Sequence, residues 1–130
     1  DQAIAMATMF LAEHIQVRAI IALTESGGTA RYLSRFRSTA PIFGLSKHDS
    51  ARHKMTMVRD VFPINFDSTG LPTREAARSA VKKLFDMGLL SIDDRVVLTS
   101  GDSMEQRGAT NTLRLLVVGA DGKAEGLGDL

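Results

Sequence analysis

The sequence has 130 residues, 44% hydrophobic and 24% charged, enough for one domain around one core and too short to split comfortably into two. Its 16 Lys and Arg against 15 Asp and Glu leave a formal net charge of +1, so binding to nucleic acid or to an anionic membrane by bulk charge is excluded. The absence of cysteine excludes disulfide staples, thiolate zinc sites and thiol nucleophiles, and suits a reducing cytosol.

The chain opens at Asp1 without a methionine and at once places Ala3, Ala7, Phe10 and Leu11 at helical spacing. The expectation is a cut inside a longer polypeptide. Neither a membrane-length apolar run nor a signal-peptide pattern follows, so a cytoplasmic location is expected. Arg18 to Leu23 predicts a strand buried on both faces, bounded by Thr24-Glu25-Ser26-Gly27-Gly28. A helix is predicted from Thr29 to Phe36 and a strand from Pro41 to Leu45. Ser46, with Asp49 three residues on, is read as the N-cap of a helix through the basic stretch to Arg59. Val61 to Phe66 is the third strand. Thr73 caps a helix that closes at Gly88, with Ala77, Ala80, Val81, Leu84 and Phe85 on one face. Arg95 to Thr99 and Leu113 to Val118 are strands four and five, and the glycine-rich segment 119–130 is read as a flexible tail.

Strands alternating with helices predict a mostly parallel sheet between helical layers, joined by right-handed crossovers. The link from Ser100 to Thr112 has no helical period, so the fifth strand is expected to return antiparallel. In such sheets ligands gather at the carboxyl ends of the strands, and two loops there carry candidate chemistry. In the first, Thr24 to Thr29, two glycines permit close backbone approach and three hydroxyls can donate, as a phosphate cradle requires. The bland alternative is a tight turn with Ser26 as a helix cap. It is neither a P-loop nor a dinucleotide fingerprint. The second runs from Ser100 to Thr112; its Arg107 could close over a ligand's charge, with Gly101 and Gly108 as hinges. The alternative is an ordinary long loop in which Asp102 and Asn111 serve their own backbone.

Other candidates are weaker. His14, His48 and His53 lack metal-ligand spacing and are read as surface or packing residues. The charges from Lys47 to Arg59 read as a solvated, mildly basic face. No nucleophile elbow, catalytic triad or acid-base carboxylate pair is evident, so the residues describe a binder and no catalytic residue is assigned.

The string AIIALTESGGTARYLSRFRSTAPIFGLS, followed by VVLTSGDSMEQRGATNTLRLLVV, resembles the C-terminal domain of pyruvate kinase. Members show ALT-x-SG-x-[ST], a P-I-x-x-[LV]-[ST] strand, then TxGD and G-x-TNT-x-[KR]. The resemblance covers Asp1 to Val118 and rests on two loops in conjunction. It implies a three-layer α/β/α domain with a five-stranded mixed sheet whose last strand is antiparallel. It also implies a parent enzyme that moves phosphate from phosphoenolpyruvate to ADP, using Mg2+ and K+ in a separate barrel domain; no cofactor is expected in this domain. Here the implied role is regulatory: to bind a phosphorylated effector between the two loops and to pack in a homotetramer.

Carried over by residue, Thr24, Ser26, Gly27 and Thr29 match the effector-phosphate loop, which also holds Glu25 and Gly28. Gly101 and Gly108 match the closing loop, with Asp102 and Arg107 between them. Glu25 is a departure, because strongly fructose-bisphosphate-responsive animal forms have lysine there, and a carboxylate repels a second phosphate. The chain also lacks tryptophan, so Arg74, Arg78 or Arg107 would have to hold a bisphosphate's other end. Asp102-Ser103-Met104, LTESG and the SKH of Ser46 to His48 resemble instead the bacterial subtype activated by AMP or sugar monophosphates. AMP, ribose 5-phosphate or glucose 6-phosphate is therefore expected ahead of fructose 1,6-bisphosphate. Two other classes stay open: a purely structural oligomerisation module, and a free-standing phosphosugar binder or isomerase-like enzyme.

Overall fold

A computed structural model of the chain describes residues 7, 8, 13, 14, 16–35, 40–100 and 112–126. The apolar runs form strands β1 (Ala19–Leu23), β2 (Ile42–Ser46), β3 (Val61–Asn65), β4 (Arg95–Ser100) and β5 (Thr112–Val118). Between them lie helices α1 (Gly28–Leu33), α2 (Asp49–Met55) and α3 (Thr73–Asp86). Residues 7, 8, 13 and 14 are helical; the rest of the predicted first helix lies outside the described residues.

The sheet has six strands in the order β3-β2-β1-β4-β5-β6, where β6 is Ala124–Gly126. The expected count of five is therefore corrected. Strands β1 to β4 pair parallel, while β5 is antiparallel to β4 and β6 antiparallel to β5. The residues 119–126, expected to belong to a flexible tail, instead turn through a 3-10 segment (Ala120–Gly122) and return as β6. Two successive residues with positive φ, Asp121 at 58° and Gly122 at 79°, reverse the chain there. Residues 127–130 lie outside the described residues.

Burial sorts the elements into layers. Strands β1 and β2 are buried at every position, which is why they read as unbroken apolar runs. On one face Ile21, Leu23, Phe43, Leu45, Val96, Leu98 and Leu116 pack with Ala77, Ala80, Val81 and Leu84 of α3. On the other, Ile20, Ala22, Ile42 and Val97 pack with Ala30 and Leu33 of α1 and Met55 of α2. The edge strand β3 tolerates Pro63, which has no N–H to give to a ladder.

Two predicted caps are corrected. Ser46 does not cap α2, because it is the last residue of β2, paired in register with Asn65, and His48 takes the N-cap position without a side-chain bond. Thr73 is the first residue of α3, whose N-cap position falls to Pro72. Helix α3 ends as predicted at Gly88: with φ at 80°, the Gly88 N–H bonds the Phe85 carbonyl and the Leu89 N–H bonds the Leu84 carbonyl. Those two bonds are a Schellman motif.

Strand order fixes where a ligand can enter. From β1 the chain steps outward to β2 and β3, then crosses by α3 to β4 on the other side of β1. The order reverses between β1 and β4, and a crevice opens at the carboxyl ends of strands at such a point. Among the described residues no helix is long and apolar enough to cross a membrane.

Candidate functional site

The loop 24–29 leaves the carboxyl end of β1 at that reversal. Thr24 and Thr29 are buried, Glu25 and Ser26 are half-buried and Gly28 is exposed. The turn needs Gly27, whose φ is 87°, a conformation costly for a residue with a Cβ. Inside it the Gly27 N–H donates to Thr24 Oγ1 at 2.9 Å and the Gly28 N–H to Ser26 Oγ at 3.2 Å. Both hydroxyls are thereby acceptors from the backbone, and each keeps its own proton to donate. The N–H groups of Gly27 and Gly28 are thus occupied within the turn, by the hydroxyls of Thr24 and Ser26.

The loop borders a cavity of about 390 Å³ whose lining includes Ser26, Gly28, Arg31, Lys54, Met57 and Val58. The sequence alone reads Lys54 as part of a solvated basic face and does not single out Arg31, because they come from two helices whose proximity is a tertiary fact. An anion at Ser26 and Gly28 would face both cations.

Gly101, Asp102, Arg107 and Gly108 lie outside the described residues, as does the whole of 101–111. Its two ends are fixed: Ser100 and Thr112 pair with each other across β4 and β5, while Thr99, one residue earlier, pairs with Ala22 of β1. The segment therefore starts and finishes at the rim that carries Thr24 to Thr29. Beside those ends, Thr99 Oγ1 and Arg114 Nε are buried with no hydrogen-bond partner among the described residues. Buried polar groups of this kind are ordinarily satisfied by some partner. Arg78, one of the expected substitutes for a second phosphate contact, is exposed and pairs with Glu75 at 3.0 Å. Arg74 is exposed in the first turn of α3.

His48, which the sequence reads as a surface or packing residue, reaches the loop after β1. Its Nε2 lies 2.5 Å from Glu25 Oε2, so the loop after β2 reaches the loop after β1. Ser46 Oγ donates to the Glu25 carbonyl at 3.4 Å and accepts from the His48 N–H at 3.2 Å. Further along the rim Lys47 Nζ donates to Thr69 Oγ1 at 2.6 Å, and Arg52 donates to Ser46 O and Asn65 Oδ1. The Asp67 carboxyl is held below its ordinary value of 3.8, chiefly by hydrogen bonds from the Thr69 hydroxyl and amide, with Lys47 and His48 adding to the effect. Among the described residues no group of three or more His, Asp or Glu is placed to hold a metal ion.

The family model described as pyruvate kinase, alpha/beta domain, matches residues 2–116. Pyruvate kinase II of Salmonella typhimurium is 44% identical over 119 residues, which are 91% of this chain and 25% of that protein. Pyruvate kinase of Buchnera aphidicola subsp. Schizaphis graminum is 44% identical over 119 residues, 91% of this chain and 24% of its own length. A more distant relative, pyruvate kinase of Bacillus licheniformis, is 34% identical over 127 residues, 97% of this chain and 21% of its own. The chain spans about a quarter of the length of the curated relatives it matches.

Proposed function

The chain belongs to the pyruvate kinase alpha/beta domain family, and from that premise we propose that it is the regulatory C-terminal domain of a cytoplasmic pyruvate kinase. The parent polypeptide would transfer phosphate from phosphoenolpyruvate to ADP. Mg2+ and K+ would serve that chemistry in a separate barrel domain, and no step is assigned to them here. This domain would bind a phosphorylated effector between the loop 24–29 and the segment 101–111, and contribute to a homotetramer.

One observation carries the effector reading. The loop after β1 and both ends of 101–111 flank the point where strand order reverses, which is where an open α/β sheet offers a ligand crevice. The hydroxyls of Thr24 and Ser26, each already accepting a backbone N–H, are donors suited to a phosphate oxygen. Arg107 would close over the phosphate from the second loop, with Gly101, Asp102 and Gly108 shaping that loop's path. Glu25 disfavours a ligand with a second phosphate beside the first, so a monophosphate is the favoured class: AMP, ribose 5-phosphate or glucose 6-phosphate. The effector would act by binding one arrangement of the loops better than the other, a coupling of about 1 to 3 kcal/mol on the usual scale.

Titrating the chain with these monophosphates and with fructose 1,6-bisphosphate, followed by amide NMR, tests the reading. Saturable shifts at Thr24 to Thr29 are the expected result, strongest for a monophosphate. No response to any of the four ligands would leave an assembly module. In the parent enzyme, Ser26→Ala with Thr29→Ala should abolish activation and preserve the tetramer if the loop binds effector.

A further inference from the structure

Glu25 presents a difficulty for any anion at this loop. It stands between Thr24 and Ser26, the two residues whose hydroxyls are poised to donate, and an uncompensated carboxylate there repels a phosphate. The geometry points to His48 as the residue that removes this obstacle. We propose that His48 is a positioning residue of the anion site, its ring N–H holding the Glu25 carboxylate so that the loop 24–29 can accept a phosphate. The proposal rests on the effector reading above and assigns a new role within it.

The contact is built into the fold. Glu25 Oε2 and His48 Nε2 are 2.5 Å apart, with the Glu25 side chain 15% exposed and the His48 side chain 45% exposed. One hydroxyl braces both partners: Ser46 Oγ donates to the Glu25 carbonyl and accepts the His48 N–H. Beneath this contact the Thr24 N–H, bonded to the Leu45 carbonyl at 3.0 Å, continues the ladder between β1 and β2. The neighbouring cations are committed elsewhere. Lys47 reaches Thr69, while Arg52 is shared among Ser46 O, Asn65 and the Asp49 carboxylate. Of the other acids on this part of the rim, Asp49 is paired with Arg52 and Asp67 accepts the Thr69 amide at 2.8 Å. Among the described residues, His48 is the basic side chain in contact with Glu25.

The test separates this role from a merely structural one by removing the carboxylate that His48 is said to manage. The chain and its variants are titrated with inorganic phosphate and with ribose 5-phosphate at one pH and ionic strength, by amide NMR. His48→Ala should weaken both ligands about threefold to tenfold, the scale of one lost hydrogen bond. His48→Lys, which keeps an N–H donor at this position, should restore most of the loss. Glu25→Gln should bind at least as tightly as the unaltered chain, and adding His48→Ala to it should cost nothing further. Because His48 is half-exposed, the variants should keep the spectrum of the sheet, which controls for folding. An equal loss in the Glu25→Gln background, or no loss from His48→Ala, overturns the proposal while leaving phosphate binding intact. Absence of binding by the unaltered chain, by contrast, overturns the effector reading itself and this role with it.

Discussion

Met55 is 1% exposed, and two glycines close against it. A Cβ at Gly44 would lie 2.2 Å from Met55 Sδ and 3.1 Å from its Cε, and one at Gly27 would lie 3.1 Å from its Cγ. The thioether is flexible but confined, so Gly44→Ala should cost about 1 to 3 kcal/mol in denaturant unfolding. Adding Met55→Ala should give less than the sum of the two single effects, because one change makes room for the other. Gly27 was readable from the sequence as a turn glycine, since its neighbours are loop residues. Gly44 was not, because Met55 reaches it from another element and nothing in PIFGL announces that approach. Asp67 supplies a pH-dependent expectation. Its folded pKa lies below the ordinary value, so its stabilising contribution is complete above the usual carboxylate range and is lost as pH falls through the folded value. Asp67→Asn should therefore be less stable than the unaltered chain near neutrality. The gap should close in acid, below about pH 4, as seen by thermal unfolding across a pH series.

At the scale of elements, what the sequence disclosed followed its periodicity. Strands β1 to β5 were placed within a residue or so; for β1 and β2 burial on both faces leaves a plain apolar run. Helix α3 was equally readable: its apolar stripe and its closing glycine are local signals that agree. Gly88→Ala should cost about 1 kcal/mol by forcing a Cβ into the left-handed cap, visible as a lower melting temperature with the phosphate response unchanged. Local signals failed where a distant partner outbid them. Ser46 has the chemistry of an N-cap, yet pairing with Asn65 keeps it in the sheet. Strand β6 had no signal of its own, being three residues, AEG, within a glycine-rich stretch. It is held by β5 and by Gly122, where a Cβ would fall 2.7 Å from the Phe85 ring of α3. That is a contact between distant parts of the chain.

At the scale of the whole molecule, the candidate site was half visible in advance. Thr24 to Thr29 and the two glycines of the later loop were named from spacing and family pattern. That Thr24 to Thr29 and the ends of the later segment, Ser100 and Thr112, share one rim depends on β4 docking beside β1, and that is a property of topology. The contact of His48 with Glu25 was invisible because the two residues belong to different loops. A further expectation follows from the ends of 101–111. Closing a loop costs only about 0.6 kcal/mol more when its length is doubled, and Ser100 and Thr112 are already tied by the ladder between β4 and β5. Inserting a Gly-Ser pair after Met104 should therefore change the unfolding midpoint little, while disrupting the phosphate response measured in the same preparation.

The pairing of Ser100 with Thr112 has a bearing on how such a domain diversifies. Because β4 and β5 stay laced together on either side of residues 101–111, the amino acids of that stretch can be rewritten without renegotiating the hydrophobic foundation. Descendants sharing this scaffold would diverge there while remaining superimposable strand for strand.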